Sequence, residues 1–151
     1  MRAVKKVLPV LQNLTVTDAG SEGQAVAKLD DLVVFVEHAV PGDVVDVQVT
    51  RKKRNYREGK VIHFHKYSEQ RAEPACKHFG VCGGCKWQNM KYETQLFYKQ
   101  KQVFNSLTRI GKIAIPELLP IIPSDDVYYY RNKLDFTFSN NVYLFGDAPQ
   151  D

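Results

Sequence analysis

The chain has 151 residues, 44% hydrophobic and 25% charged, proportions that suit a soluble globular protein and exclude a collagen-like or fully disordered polymer. The net charge is +4, and no apolar run reaches the roughly 18 residues of a membrane span. Pro9, Gln12 and Asn13 interrupt the N-terminal apolar stretch, and no small-residue cleavage site follows, so no secretory signal is expected.

Charge is unevenly spread. Residues 46–66 hold seven Lys/Arg against two Asp/Glu, and residues 67–112 hold eight against three, whereas the two ends together are acidic. A basic middle suits a polyanionic partner, although a solvated surface loop would read the same way.

In chain order, "VLPVLQNLTVTD" opens a run of short strands, with Gly20 and Gly23 marking a turn before "GQAVAKL". "DLVVFVEHA" has the length of a strand, and Pro41-Gly42-Asp43 is a turn signal. In "DVVDVQVTRK", Val45, Val47 and Val49 alternate with Asp46, Gln48 and Thr50, the mark of a half-buried strand. After the charged tip, "GKVIHFHKY" predicts a fifth strand. Five short strands in this space predict a small closed barrel of the OB type, a fold that often binds oligonucleotides. Arg51, Lys52, Lys53, Arg54, Arg57 and Lys60 fall on the tip between the last two strands, with Tyr56 among them. Such a tip offers cations to phosphates and a ring to an unpaired base. Arg131 and Lys133 form a second basic candidate.

Beyond Ser68 the period is lost until about Lys91, where Leu96, Val103, Leu107 and Ile110 recur at helical spacing. That stripe is expected to pack as core, and Gly111 is expected to cap the helix. "AIPELLPIIPSDD" reads as an extended connector. In "YYYRNKLDFTFSNNVYLFG", Leu134, Phe136 and Phe138 alternate with polar residues, and Asn140-Asn141 suits a hairpin turn.

All three cysteines lie in "PACKHFGVCGGCKWQ", spaced C-x5-C-x2-C. Clustered thiols in a chain without an export signal favour a reducing compartment, so a cytoplasmic location is expected. Thiolates at this spacing can converge on one soft or borderline cation, and Gly83-Gly84 leaves room for the turn. Zinc with a histidine as fourth ligand (His38, His63, His65 or His78), an iron–sulfur cluster, and plain buried thiols all remain open on spacing alone.

The segment from Ser68 to Ile113 resembles the cluster-binding region of the RNA (uracil-5-)-methyltransferases, most closely the 23S rRNA members. Ser68, Arg71 and Pro74 match the family's lead-in, Gln88 and Tyr92 follow the last cysteine as in the family, and Gln95, Leu96 and Lys99 match its helix. "EGQAVAKLDDLVVFVEHAVPGDVVDVQV" resembles the family's TRAM barrel, and "YYYRNKLDFTFS" the start of its central domain; the tail "NNVYLFGDAPQD" fits poorly.

The resemblance implies a mainly β chain with one long helix. A TRAM (OB-like) RNA-binding barrel would span 1–66, an iron–sulfur loop and helix 67–112, and the start of a truncated central domain 113–151. It implies a [4Fe–4S] cluster held by Cys76, Cys82 and Cys85, with a fourth cysteine supplied from further along the family's chain. The S-adenosylmethionine domain, nucleophile and base would also lie beyond this sequence. The chain is therefore expected to be an N-terminal fragment, monomeric, bound to RNA (23S rRNA above all), and inactive by itself. The alternative is a free-standing zinc-stabilised OB-type RNA-binding module.

Overall fold

The computed structural model describes residues 8–81, 84–130, 133, 138 and 140. Met1–Ile121 form one compact unit and Ile122–Asp151 a second. The first contains a five-stranded barrel built from β1 (Val10–Ala19), β2 (Ala25–Leu29), β3 (Leu32–Glu37), β4 (Val44–Lys52) and β5 (Tyr56–Lys66). Strand order is β1-β2-β3-β5-β4, closing back onto β1. The β3–β5 pair is parallel and the others are antiparallel. The expected OB-like barrel is thus the architecture observed.

Alternation along each strand fills the barrel. Leu14, Val16, Ala25, Ala27, Val34, Val36, Val45 and Val47 point inward and are buried together, with Leu11, Val61 and Phe64 packed against them. Each buried valine contributes on the order of 1.5–3 kcal/mol of transfer free energy.

The fifth strand begins earlier than the sequence suggests, at Tyr56 instead of Gly59. Gly59 sits inside the strand where two backbones cross closely: a Cβ there would come within 2.4 Å of Val47 Cγ1 and 2.7 Å of the Gln48 carbonyl oxygen. A glycine that looks like strand punctuation is a close-approach residue.

β1 carries a bulge against β4 between Leu11 and Leu14, where Asn13 takes a left-handed φ of 52°. The Asn13 N–H donates to Asp46 Oδ1 at 2.8 Å, and His65 Nε2 lies 2.7 Å from the same oxygen. The backbone hydrogen bond from Asn13, followed by that from His65, holds the Asp46 carboxyl below its ordinary value. A lowered folded pKa gives stability that is present above the unfolded pKa and lost as pH falls through the folded one. The thermal stability gap between the natural chain and Asp46→Ala should therefore be full at about pH 6 and close progressively below about pH 4. A gap that survives unchanged in acid would exclude this role for Asp46.

The helix α1 spans Tyr92–Asn105 and runs into a π-helical turn, Ser106–Ile110. It docks through Tyr98, which is buried with Ala19, Val40 and Met90 beside Trp87. Lys101 Nζ lies 2.7 Å from Asp18 Oδ2 and 5.6 Å from the Tyr98 ring centroid. Burial, aided by the Asp18 charge, pushes the Tyr98 phenol above its ordinary pKa.

The stripe expected to form core does not. Val103, Leu107 and Ile110 are 50%, 37% and 81% exposed, and Leu96 is half-buried. Apolar spacing marks a face without saying what covers it, and the barrel is met by the neighbouring face instead. Gly111 caps the helix end as expected, its N–H donating to the Ser106 carbonyl at 2.8 Å, but not as a left-handed glycine. Its φ is −71°, and Lys112 takes the left-handed conformation at 55°. Gly111 is demanded by contact, since a Cβ would lie 2.8 Å from the Leu107 carbonyl oxygen.

The connector after the helix, expected to be extended, carries neither helix nor strand over residues 114–126. Gln100 fastens it, donating to the Leu119 carbonyl at 3.0 Å and accepting from the Ile121 N–H at 3.2 Å. The alternating strand expected over Leu134–Ser139 and most of the hairpin beyond lie outside the described residues. No described helix is long and apolar enough to cross a membrane.

Candidate nucleic-acid interface and cysteine loop

β4 and β5 form a hairpin whose tip carries the predicted cations, and the structure separates them into two groups. Lys52, Lys53 and Arg54 are exposed. The other three are engaged. Arg51 pairs with Glu58 at 3.6 Å and Lys60 with Glu37 at 3.6 Å, both at the surface, where such pairs are weak and exchangeable. The Arg57 guanidinium donates to the Lys53 and Tyr56 carbonyls, bracing the turn from within.

Tyr56 sits edge-on to Phe35, with centroids 5.5 Å apart and planes at 78°. The parallel register explains the meeting: Val33 faces Tyr56 and Phe35 faces Glu58 across the β3–β5 pair. Phe35 was hidden from sequence reading inside an apolar run. Lys28 was also missed; it is exposed on β2 in the same row as Val33 and Tyr56. Of the second basic candidate, Arg131 lies outside the described residues and Lys133 is exposed.

The cysteine loop leaves and rejoins the barrel side through a narrow neck, an isolated bridge between Arg71 and Met90. Lys91 N–H donates to the Gln70 carbonyl at 2.9 Å and Ala72 N–H to that of Asn89 at 3.1 Å. One fully buried carboxylate pins the neck to the barrel. Asp43 Oδ1 accepts from Ser68 N–H at 2.8 Å and Arg71 Nε at 2.9 Å; Oδ2 accepts from Val40 N–H at 2.6 Å and Arg71 Nη2 at 2.8 Å. Arg71 also lies over the stacked rings of Phe64 and Tyr67, at 4.7 and 5.4 Å. Gly42, at φ 96°, lets the turn approach: a Cβ would fall 2.7 Å from Ser68 Oγ. Ser68 and Arg71, matched above as a family lead-in, thus have a physical task.

Within the loop, Gln88 joins the two ends of the cysteine motif. Its Nε2 donates to Cys85 Sγ at 3.1 Å and its Oε1 accepts from Cys76 N–H at 3.1 Å. Neither Cys76 nor Cys85 is in a disulfide. Cys82 lies outside the described residues, and among the described ones no three His, Cys, Asp or Glu side chains gather as for a metal. Two reduced sulfurs with an amide donor on one of them are a donor set that suits a soft or borderline metal. The histidines considered as a fourth ligand have other company. His63 and His65 contact each other at 4.7 Å, with His65 on Asp46, and His38 packs edge-on to Phe79. His78 is in the loop and has a partner of its own. The loop's far arm rests on the β1–β2 turn, where a Cβ on Gly23 would meet Lys86 Cβ at 2.3 Å.

The sequence that builds this barrel and loop is similar to those of proteins named as RNA methyltransferases. Residues 11–62 match the TRAM domain. Beyond the TRAM segment, the likeness continues through the cysteine loop. A Bacteroides thetaiotaomicron protein named "uncharacterized RNA methyltransferase" is 56% identical over 127 residues, covering 84% of this chain and 28% of its own. A Porphyromonas gingivalis protein of the same name is 46% identical over 138 residues, covering 91% of this chain and 30% of its own. The chain therefore spans less than a third of the length of these relatives. A solution structure of a conserved Methanococcus maripaludis protein is 31% identical, with a TM-score of 0.34, covering 40% of this chain and 91% of that one.

Proposed function

We propose that this chain is the RNA-recognition and cluster-binding part of an S-adenosylmethionine-dependent RNA (uracil-5-)-methyltransferase acting on 23S rRNA. The observation that carries the reading is the pairing of a TRAM match with 56% identity to a protein named as an RNA methyltransferase. Cys76, Cys82 and Cys85 would hold three corners of a [4Fe–4S] cluster. When bound, such a group supplies a metal cross-link that fixes the loop. The chain's own residues do the rest: Gln88 orients a sulfur, Asp43 and Arg71 hold the loop to the barrel, and the hairpin cations engage phosphates.

Two measurements test this. Anaerobically purified chain should be brown and contain iron; a colourless preparation with stoichiometric zinc would support the zinc module and overturn the cluster. Incubated with labelled S-adenosylmethionine and 23S rRNA fragments, the 151 residues alone should transfer no methyl group, because no thiol beyond the loop's three is present to attack uracil C6. Enzyme-dependent 5-methyluridine would contradict that.

The free cations of the hairpin give a separate expectation. Replacing Lys52, Lys53 and Arg54 with alanine should weaken binding to single-stranded RNA similarly across sequences. It should also flatten the slope of log K against log salt by roughly 2 in all, about 0.7 per lost phosphate contact. Unchanged affinity and slope would move the phosphate-binding surface off this hairpin.

A further inference from the structure

A cavity of about 240 Å³ opens on the barrel wall between the β1–β2 turn and the outer faces of β3 and β5. Phe35 and Tyr56 form its aromatic corner, and Ser21, Glu22, Gln24 and Glu58 supply its polar groups. Because the two rings stand at 78° to each other, a flat ligand can lie against one face while its edge meets the other ring.

The charge around this cavity separates two kinds of contact. Two carboxylates in the wall repel phosphate, so the cavity does not suit the backbone of a nucleic acid. Cations flank it instead: Lys28 along the row of Tyr56, and Lys53 and Arg54 at the hairpin tip. A strand whose phosphates met those cations would bring one unpaired base to the aromatic corner, where stacking accepts any base.

The carboxylates then select among bases. An ionised carboxylate only accepts hydrogen bonds, and it accepts best from two parallel donors. Guanine alone presents adjacent N1–H and N2–H donors on its Watson–Crick edge; adenine and cytosine set an acceptor beside their amino group, and uracil flanks its single N–H with two carbonyls. Glu58 is already held by Arg51, whereas among the described residues Glu22 makes no ion pair. Resting on the RNA-binding reading above, we infer that this cavity is a binding site for an unpaired guanine, stacked on Phe35 or Tyr56 and hydrogen-bonded by Glu22.

Fluorescence anisotropy on the full chain, with labelled six-nucleotide RNAs, tests this. The set is all-uridine and all-uridine with one central G, A or C, at fixed salt. The G oligomer should bind about tenfold or more tightly than the others, the discrimination of one good bidentate contact. Glu22→Gln, on an exposed turn, should bring the G oligomer down to the level of the all-uridine one, and Tyr56→Ala should weaken every oligomer. Thermal unfolding of each variant verifies that it folds. Preference for A or C, no preference, or a G preference that survives Glu22→Gln would overturn the guanine site while leaving salt-dependent RNA binding intact. Absence of RNA binding by the natural chain would overturn the RNA reading, and the guanine site with it.

Discussion

Asp43→Ala should be the most damaging single substitution in the barrel, lowering stability by on the order of 3–5 kcal/mol, the cost of leaving a buried ion-pair partner uncompensated. Four donors converge on this carboxylate, two of them from one guanidinium. Its loss would strand the Val40 and Ser68 N–H groups and the Arg71 charge between barrel and neck. Asp43→Asn keeps the size and one acceptor oxygen but places an NH₂ against donors, so it should fall between the two. The double variant Asp43→Ala/Arg71→Met should recover part of the loss by removing the orphaned charge. Thermal or urea unfolding of the four proteins measures this. A single-variant loss below about 1 kcal/mol, the scale of an ordinary hydrogen bond, would show that the neck is held by something else.

Cys85→Ser should abolish metal incorporation, because a serine hydroxyl stays protonated near neutral pH and is a far weaker ligand for a cluster iron than a thiolate, and the loop offers no spare thiol. Gln88→Ala makes a finer test. Its amide touches Cys85 Sγ on one side and the Cys76 backbone on the other. Loss of an outer-shell partner of this kind typically lowers metal affinity about 10–100-fold. Iron retained per chain under graded chelator, followed by absorbance and metal analysis, should rank the natural chain first, Gln88→Ala second and Cys85→Ser last. Full retention in Cys85→Ser would remove Cys85 from the ligand set, and equal chelator sensitivity of Gln88→Ala would leave Gln88 with a purely structural part in the loop.

The strands were legible because a barrel with one wet face writes a period of two into each of them. Val45, Val47 and Val49 alternating with Asp46, Gln48 and Thr50 are the plainest case, and all three valines are buried. Gly59 misled because a glycine needed for a backbone crossing looks the same as one needed for a turn; only the partner strand tells them apart. The helix stripe misled for a related reason, since periodicity is a property of one element and burial is a property of two.

Asp43 illustrates what a sequence hides. After Pro-Gly it reads as a turn former, and its partner Arg71 lies 28 positions away with no local pattern linking them. The basic hairpin was visible as composition, but the division of its cations into exposed, paired and bracing members depends on side-chain contacts. Phe35 became part of a candidate site only through its register with β5.

The neck at Arg71 and Met90 bears on how such a protein meets oxygen. Its hydrogen bonds run between backbone groups, to Asp43 and to the His38 carbonyl, and among the described residues none of them is made by a cysteine. Chemical damage inside the loop, such as oxidation of an exposed Cys85, would thus be confined to the segment beyond the bridge. The barrel and its hairpin would keep their shape and their charge. On the RNA-binding reading proposed above, a damaged molecule would still hold RNA, so oxidative injury would produce a competitor for the intact protein in place of a mere loss of copies.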